Sequence, residues 1–362
     1  MTVFILPVFA AVSAFLLSLA GCELVKHTGV VDAPDGKRKQ QARPVPRLGG
    51  VGMIAAILIV LAAVALAHES IPAARGHDWL PGQLPTLWVA LGGAGLLAGV
   101  GALDDIFGLR ALPKLLMVLA IALACALLGV AAPMLDTPAG TLAWPPLLIA
   151  GSMLWIIVVT NAANFMDGSN GLSLGSLAIM FAGLGASHAA VSDAGFPPGL
   201  VTVIAAIAGF LCHNLKGTLY AGDTGAFGLG GLFAMLALIA GIPVWTAATL
   251  VLPFLVDVLL TLASRSRHGQ SLFVAHTDHA YQGLIRAGWP HMDVALTWWC
   301  LSAACAVAAT IGVSAGGALP FVLFWVLVAG LSAGWFMVHR KTSGHKVTRG
   351  TGGQALGTTP EE

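Results

Sequence analysis

Eleven long apolar runs, separated by short polar segments, decide what this chain can fold into. Each run is close to the roughly 20 apolar residues that a helix needs to cross a bilayer. With 57% hydrophobic and only 9% charged residues, a soluble α/β enzyme is excluded, because its buried strands are much shorter. We therefore expect an all-α polytopic membrane protein with about 11 transmembrane helices. The runs cover residues 2–22, 48–67, 84–103, 114–132, 146–163, 172–190, 199–213, 226–242, 245–263, 295–314 and 319–338.

Lysine and arginine predict the orientation of these helices. The loops on one side hold all but one of the 17 Lys and Arg residues, and Arg75 is the exception. Because cytoplasmic loops carry the excess of these residues, we expect the N-terminus outside and the C-terminus in the cytoplasm. We expect one integral membrane domain over residues 1–340. The tail, residues 341–362, is rich in Gly and Thr, and we expect it to be disordered.

Four polar clusters stand at the ends of apolar runs, all on the predicted cytoplasmic side. A carboxylate near hydrocarbon is costly unless it pairs, binds a metal or lines a wet cavity, so each cluster is a candidate functional site. Their common side predicts that they form one site. The clusters are Asp104-Asp105, the segment NAANFMDGSNG at 161–171, Asp223 in GDTG, and HTDH at 276–279.

The first two clusters supply oxygen ligands and a nearby cation. Paired carboxylates such as Asp104 and Asp105 hold Mg²⁺, act as a base or orient a phosphate-bound ion, but they also serve as ordinary polar helix ends. Lys114 suits a phosphate, although a basic residue there also follows the positive-inside rule. Asn161, Asn164 and Asp167 recur every three residues, so on a helix they face one side. Their oxygens suit a cation or a nucleotide, and the alternative is a polar turn.

The other two clusters have equally plain alternatives. Asp223 is suited to Mg²⁺ beside backbone N–H groups that favour phosphate, and it is also a common helix cap. His276, His279 and Arg286 suit a diphosphate, whereas surface loops also carry such histidines. Asp257 lies inside the ninth run, where a carboxylate needs a partner in a neighbouring helix or in the site.

In their order along the chain, these motifs resemble those of the polyprenyl-phosphate N-acetylhexosamine-1-phosphate transferases, glycosyltransferase family 4 in the wide sense. The resemblance covers roughly residues 25 to 290. It rests on the loop Val31 to Gly50, on GALDDIFGL, NAANFMDGSNGL and GDTG, and on PFLVD with its following Arg265.

Three positions depart from the family's patterns. Asn170 stands where the family often has Asp, and Ala226 stands where GDxGS has Ser. The cluster at 275–282 reads AHTDHAYQ, where the enzymes that make N-acetylglucosamine lipids have an HxHH-type cluster. This form looks like the O-antigen subgroup that can use 6-deoxy N-acetylhexosamines, and it weakens the expectation that the sugar is plain N-acetylglucosamine. This form argues against a phospho-N-acetylmuramoyl-pentapeptide-type transferase, which remains the alternative within the superfamily.

The resemblance implies transfer of a sugar 1-phosphate from a UDP-N-acetylhexosamine to undecaprenyl phosphate, with release of UMP, at the cytoplasmic face of a bacterial inner membrane. It implies that Asp223 and Asn164 hold Mg²⁺, with Mn²⁺ as a substitute, and that a homodimer is the common arrangement. We expect no nucleic-acid partner. The candidate catalytic residues are Asp104, Asp105 and Lys114. The candidate substrate-binding residues are Asn161, Asp167, Asn170, His276, His279 and Arg286.

Two rivals come from other classes. A transporter also carries intramembrane Asn and Asp residues and broken helices, but it needs them near the midplane, and only Asp257 is placed for that depth. A CDP-alcohol phosphotransferase needs a DGxxAR run followed by two further aspartates, and no such sequel follows Asp167-Gly168.

Overall fold

The computed structural model describes residues 2–33, 43–70, 79–80, 82–137, 139–193, 195–271 and 277–343. Within them the chain forms twelve helices and two small antiparallel two-stranded sheets. The helices are α1 Thr2–Val25, α2 Gly49–Ser70, α3 Leu84–Phe107, α4 Ala111–Leu127, α5 Pro145–Phe165, α6 Leu172–Ala189, α7 Pro198–Asn214, α8 Gly222–Ile239, α9 Val244–Arg267, α10 Ala280–Arg286, α11 His291–Ala315 and α12 Leu319–Ser343. The strands are β1 Val31–Asp32, β2 Val45–Pro46, β3 Leu135–Thr137 and β4 Gly140–Leu142.

The helical, membrane-spanning prediction is confirmed for the described part of the chain. Nine helices there are long and apolar enough to cross a membrane. The apolar helices α4 and α7 have 17 residues each, at the lower limit of the range for a span. Together these eleven helices match the eleven predicted runs, while α10, with 7 residues, is additional. The protein is a multi-pass membrane protein, and its orientation stays a prediction, as does its single domain.

Several helices extend beyond the apolar runs, and these extensions carry polar residues. Helix α3 continues to Phe107, where Gly108 ends it in the left-handed conformation at φ 63°, as C-terminal glycines commonly do. Asp104 and Asp105 are therefore helical. Helix α8 begins at Gly222, four residues before the apolar run, so Asp223 lies in its first turn. Helix α12 reaches Ser343, so the prediction of disorder is wrong for residues 341–343, and the rest of the predicted tail, 344–362, lies outside the described residues.

Helix α8 is the central, most deeply buried helix of the first half of the bundle, and it packs against α2, α3 and α5. Small residues let the backbones meet closely, as they do between membrane helices in general. A Cβ on Gly50 of α2 would lie 2.1 Å from the backbone nitrogen of Gly225, and one on Gly101 of α3 would lie 2.3 Å from the carbonyl oxygen of Asp223. These two contacts fix the first turn of α8 against the ends of α2 and α3.

The second half of the bundle is built around α9, which packs against α11 and α12. The short helix α10 rests on α12 and α11 at the end of the bundle where α9 finishes. Helix α12 is the least buried of the long helices. Its last turns nevertheless meet α10, and this contact shapes one wall of the pocket described below.

Candidate active site

Four side chains from four helix ends meet at the start of α8. The ammonium Nζ of Lys114 lies 3.0 Å from Oδ2 of Asp104 and 2.8 Å from Oδ2 of Asp223. The amide Nδ2 of Asn164 donates to the same Asp223 oxygen at 3.0 Å. Helices α3, α4, α5 and α8 each contribute one member. We call Asp104, Lys114, Asn164 and Asp223 the carboxylate–lysine cluster, and the structure thus brings together three of the predicted polar segments.

Asp105 occupies a different place from its neighbour. Its side chain is fully buried, and Oδ1 accepts hydrogen bonds from Nη2 of Arg47 at 2.6 Å and from the backbone nitrogen of Asp223 at 3.0 Å. Oδ2 accepts from the backbone nitrogen and hydroxyl of Thr224, at 3.0 and 2.8 Å. The carboxylate therefore caps the first N–H groups of α8, which have no partner within that helix.

The pair of Asp105 with Arg47 is fixed by its surroundings. Burial alone lowers the pKa of Arg47, but the hydrogen bond and charge of Asp105 outweigh it, so the pKa of the guanidinium is raised. Gly222 starts α8 at φ 66°, and a Cβ there would lie 2.4 Å from Oδ2 of Asp105. Only glycine fits this position without strain, which explains the first residue of the GDTG motif.

The loop between α5 and α6 is anchored on several sides. The hydroxyl of Tyr281 donates to the carbonyl of Phe165 at 3.0 Å, and the side chain of Asn214 accepts from the backbone nitrogen of Gly171 at 2.6 Å. The indole of Trp299 donates to the carbonyl of Gly171 at 2.9 Å, and Ser169 pairs with His291 at 2.8 Å. The loop is thus held at both ends.

The remaining polar residues of this loop differ in their environments. Burial, together with the charges of Asp223 and Asp105, raises the pKa of the half-buried Asp167 well above its usual value. No described residue donates a hydrogen bond to this carboxylate. The amide nitrogen of Asn161 donates back to the carbonyl of Ile157 at 2.8 Å, and its amide oxygen accepts no hydrogen bond from the residues that the structure describes. Asn170 lies beside Gly217. A Cβ added to Gly217 would lie 3.2 Å from Nδ2 of Asn170.

A polar cavity of about 270 Å³ lies where α9, α10 and α12 meet. We call it the arginine pocket, because Arg265 and Arg286 both line it. Arg265 forms an ion pair with Asp278, and Arg286 donates to the carbonyl of Thr277. His279 lines the same cavity but is 2% exposed. His276, the other predicted histidine, lies outside the described residues.

Asp257 plays the same part for α10 that Asp105 plays for α8. It is 2% exposed, and its carboxylate accepts from the backbone nitrogens of Ala280 at 2.8 Å and Tyr281 at 3.4 Å. It also accepts from the indole of Trp335 in α12 at 3.2 Å. Of the two alternatives left open by the sequence, the structure gives this carboxylate partners in the neighbouring helices α10 and α12.

The carboxylate–lysine cluster and the arginine pocket flank the end of α5. The ring of His279 lies 5.7 Å from that of Phe165, the residue after Asn164. The hydroxyl of Tyr281 donates to the backbone carbonyl of Phe165. Burial, followed by the charges of Asp257 and Asp167, raises the pKa of this tyrosine. The predicted polar segments therefore lie at one end of the bundle.

The donor set of the first cluster fits Mg²⁺. Two carboxylates and an amide supply hard oxygen atoms, and Mg²⁺ commonly takes one or two carboxylates together with substrate phosphates. Among the described residues there is no group of three or more His, Cys, Asp and Glu residues that could hold a metal ion by themselves. A substrate that brings its own phosphate oxygens would complete the set beside Asp223, Asp104 and Asn164.

Sequence reasoning missed four residues that build these sites. In the sequence, Arg47 is one of many basic loop residues, and nothing distinguishes Thr224 within GDTG. Trp335 lies in the last apolar run, 319–338, and His339 directly follows that run, without any motif around either residue. The one available signal was Arg47, a cation two residues before the Gly49-Gly50 pair that starts α2.

Comparisons with known proteins agree with this geometry. Residues 87–241, which span most of α3 to the end of α8, match Glycosyl transferase family 4. The chain is 31% identical over 303 residues to the decaprenyl-phosphate N-acetylglucosaminephosphotransferase of Mycobacterium tuberculosis, covering 75% of this chain and 73% of that protein. It is 25% identical over 319 residues to the probable undecaprenyl-phosphate N-acetylglucosaminyl 1-phosphate transferase of Bacillus subtilis, covering 83% and 82%.

A third relative shares a shorter region. The phospho-N-acetylmuramoyl-pentapeptide-transferase of Synechococcus sp. is 32% identical over 178 residues, or 46% of this chain and 48% of that protein. The matched family region holds all four members of the carboxylate–lysine cluster. With this match, and with identity to the mycobacterial relative over most of both chains, the chain belongs to glycosyl transferase family 4.

Proposed function

We propose that this protein transfers N-acetylglucosamine 1-phosphate from UDP-N-acetylglucosamine to a polyprenyl phosphate and releases UMP, the first step of a lipid-linked glycan. The names of the mycobacterial and Bacillus relatives support the substrates. The observation that carries the proposal is the carboxylate–lysine cluster, in which one ammonium bridges two carboxylates at a bundle end.

The proposed reaction exchanges one phosphoanhydride for another. An oxygen of the lipid phosphate bonds to the sugar-bearing phosphorus of the UDP-sugar, the bond from that phosphorus to the bridging oxygen breaks, and UMP leaves with the electron pair. No outside energy source is required, and the sequence contains no GxxxxGK[ST] run. In such transfers the protein mainly positions the reactants and neutralises charge.

The residues divide these tasks. Lys114 lies between Asp104 and Asp223, so a phosphate arriving there meets a held cation. Asp105 positions Asp223 by capping the backbone of its helix. Asp104 holds Lys114 and faces the lipid phosphate, which is already mostly dianionic near pH 7 because its second pKa is about 6. Orientation is therefore its task more than deprotonation.

Mg²⁺ belongs to this proposal. When bound, the ion neutralises the diphosphate and stabilises the charge that develops on it. Asp223 and Asn164 would hold it, with Asp104 at the edge of the same oxygen set, and Mn²⁺ suits the same ligands. Asp167 and Asn170 order the loop beside them, and Asn161 turns its free amide oxygen toward the nucleotide.

The proposed location is the cytoplasmic face of a bacterial inner membrane. The soluble nucleotide-sugar and the membrane-bound phosphate meet only at an interface, and the distribution of Lys and Arg supports a cytoplasmic position for this end of the bundle. The segment HTDHAYQ favours the O-antigen branch, so a 6-deoxy N-acetylhexosamine is the second sugar to test. The shorter match to the Synechococcus relative adds its muramoyl-pentapeptide substrate as a third.

The test is UMP formation by the purified full-length protein in detergent. We expect UMP only when UDP-N-acetylglucosamine, undecaprenyl phosphate and Mg²⁺ are all present, and we expect EDTA to abolish it until Mg²⁺ is restored. The other two nucleotide-sugars serve as comparison substrates. UMP formation without the lipid phosphate, or flux of the UDP-sugar into liposomes without any UMP, contradicts the proposal and would favour hydrolysis or transport.

A further inference from the structure

The last turns of α12 form one wall of the arginine pocket. The indole of Trp335 donates to the buried carboxylate of Asp257, and its ring stacks on the ring of His339 with centroids 3.7 Å apart. A Cβ on Gly283 of α10 would lie only 3.0 Å from the hydroxyl of Thr342. Helices α10 and α12 are thus in close contact beside the pocket. This wall lies outside the residues matched to the family.

His339 is tied to the loop that carries Asp278. Its Nε2 lies 2.9 Å from the carbonyl oxygen of Asp278. Because a carbonyl oxygen only accepts hydrogen bonds, Nε2 carries the proton and donates. The carboxylate of Asp278 in turn pairs with Nη1 of Arg265. A continuous set of contacts therefore runs from α12 to the guanidinium of Arg265.

Arg265 lines the pocket with a side chain that is mostly buried. Its side chain is 10% exposed, and its Nε is buried without a hydrogen-bond partner among the described residues. Its Nη2 donates to the carbonyl of Ser271 at 2.8 Å. The Nε has almost no accessible surface, so an anionic ligand is indicated by the place of Arg265 in the pocket lining and not by its Nε.

The lining of the pocket identifies the kind of ligand. Arg265 and Arg286 bring two positive charges to the lining, and the carboxylate of Asp278 brings one negative charge. Apart from Gly283, every lining residue has a polar side chain. A polyprenyl chain requires apolar walls, whereas a sugar diphosphate offers anionic oxygens and hydroxyls for such a lining. The pocket therefore fits the soluble substrate better than the lipid.

We propose that His339 is a positioning residue for the UDP-sugar, which fixes Asp278 and through it directs the guanidinium of Arg265 at the sugar diphosphate. The inference rests on the proposed function for its substrate. Beyond that function, the inference assigns helix α12 a role: through the imidazole of His339 it sets the affinity for the nucleotide-sugar and leaves the affinity for the lipid substrate unchanged.

The test compares His339→Ala, His339→Gln and the control Met337→Ala, whose side chain lies on the same helix turn but is 59% exposed. We expect His339→Ala to raise KM for UDP-N-acetylglucosamine about tenfold, the effect of losing roughly 1.4 kcal/mol of binding. Its kcat and its KM for undecaprenyl phosphate should change little. His339→Gln, whose amide N–H can reach the same carbonyl, should recover most of the affinity, and Met337→Ala should match wild type.

A second readout does not depend on activity. We expect faster amide hydrogen exchange over residues 280–286 in His339→Ala, and near wild-type exchange in His339→Gln and Met337→Ala. Equal effects on both KM values, a loss confined to kcat, or absence of rescue by Gln overturns the positioning role. The absence of UMP release by the wild-type protein with every sugar overturns the proposed function. Unchanged amide hydrogen exchange in His339→Ala overturns the positioning role of His339, whatever the activity.

Discussion

Asp223→Asn should lower kcat by roughly 100-fold or more, equivalent to about 2.7 kcal/mol of transition-state stabilisation. The substitution keeps the shape of the side chain but removes the charge that holds Lys114 at 2.8 Å and accepts from Asn164 at 3.0 Å. It also removes the proposed carboxylate ligand of Mg²⁺. The measurement is UMP release under saturating substrates across a Mg²⁺ titration, in which high Mg²⁺ restores little.

The matched control for this variant is Asp293→Asn. Asp293 also lies in the first turn of a helix, α11, but its side chain is exposed. We expect wild-type activity from this control and similar melting temperatures for both variants. Retention of more than about a tenth of the activity by Asp223→Asn contradicts the metal assignment, since a lost metal ligand costs several kcal/mol.

Asp104→Asn and Asp105→Asn should both lower activity, but only Asp105→Asn should also lower the Tm. Asp105→Asn breaks a pair with Arg47 whose acid side chain is fully buried and whose guanidinium is 27% exposed. Breaking a fully buried pair costs about 3–5 kcal/mol, and the partial exposure of Arg47 reduces this to about 2–4 kcal/mol. We expect a clear fall in Tm and a loss of activity that follows it.

Asp104→Asn should have the Tm of the wild-type protein but a lower activity. An asparagine still accepts from the backbone nitrogen of Leu109, which lies 2.7 Å from Oδ1, but it no longer holds the charge of Lys114. We expect roughly 100-fold lower kcat. Thermal unfolding and UMP release, measured on both variants, separate the roles. Equal Tm losses, or a stable and inactive Asp105→Asn, would show that the two carboxylates do not divide their tasks as described.

A cycle with Arg47→Gln sharpens this comparison. If Arg47 acts through its pair, the double variant Arg47→Gln with Asp105→Asn should be little less stable than Asp105→Asn alone, because neighbouring partners are not additive. Independent losses would instead indicate that the guanidinium has another stabilising contact.

The sequence was sufficient to predict the membrane-spanning helices, because the lipid bilayer sets the length and the apolar character of each of them. The apolar runs therefore marked eleven helices to within a few residues. It did not mark the start of α8, since the four residues from Gly222 to Gly225 carry no apolar side chain and are typical of a loop. The helix begins there because Asp105 caps it from another helix.

The site was predicted as a set of residues but not as an arrangement. Asp104 and Asp105 are neighbours in sequence, yet successive positions on a helix point about 100° apart. One therefore faces Lys114 and the other faces Arg47. Which helix packs on which face is a property of the whole bundle. The contacts of Trp335 with Asp257, 78 positions apart, could not be found from local patterns for the same reason.

The fate of the phosphate attached to the sugar tests the central claim most directly. Purified protein is given undecaprenyl phosphate, Mg²⁺ and UDP-N-acetylglucosamine labelled at that phosphate, and the organic and aqueous phases are separated. Transfer of a sugar 1-phosphate puts the label in the lipid and forms one UMP for each labelled lipid. Release of labelled UDP, with an unlabelled lipid, would mean that only the sugar is transferred and would contradict the account.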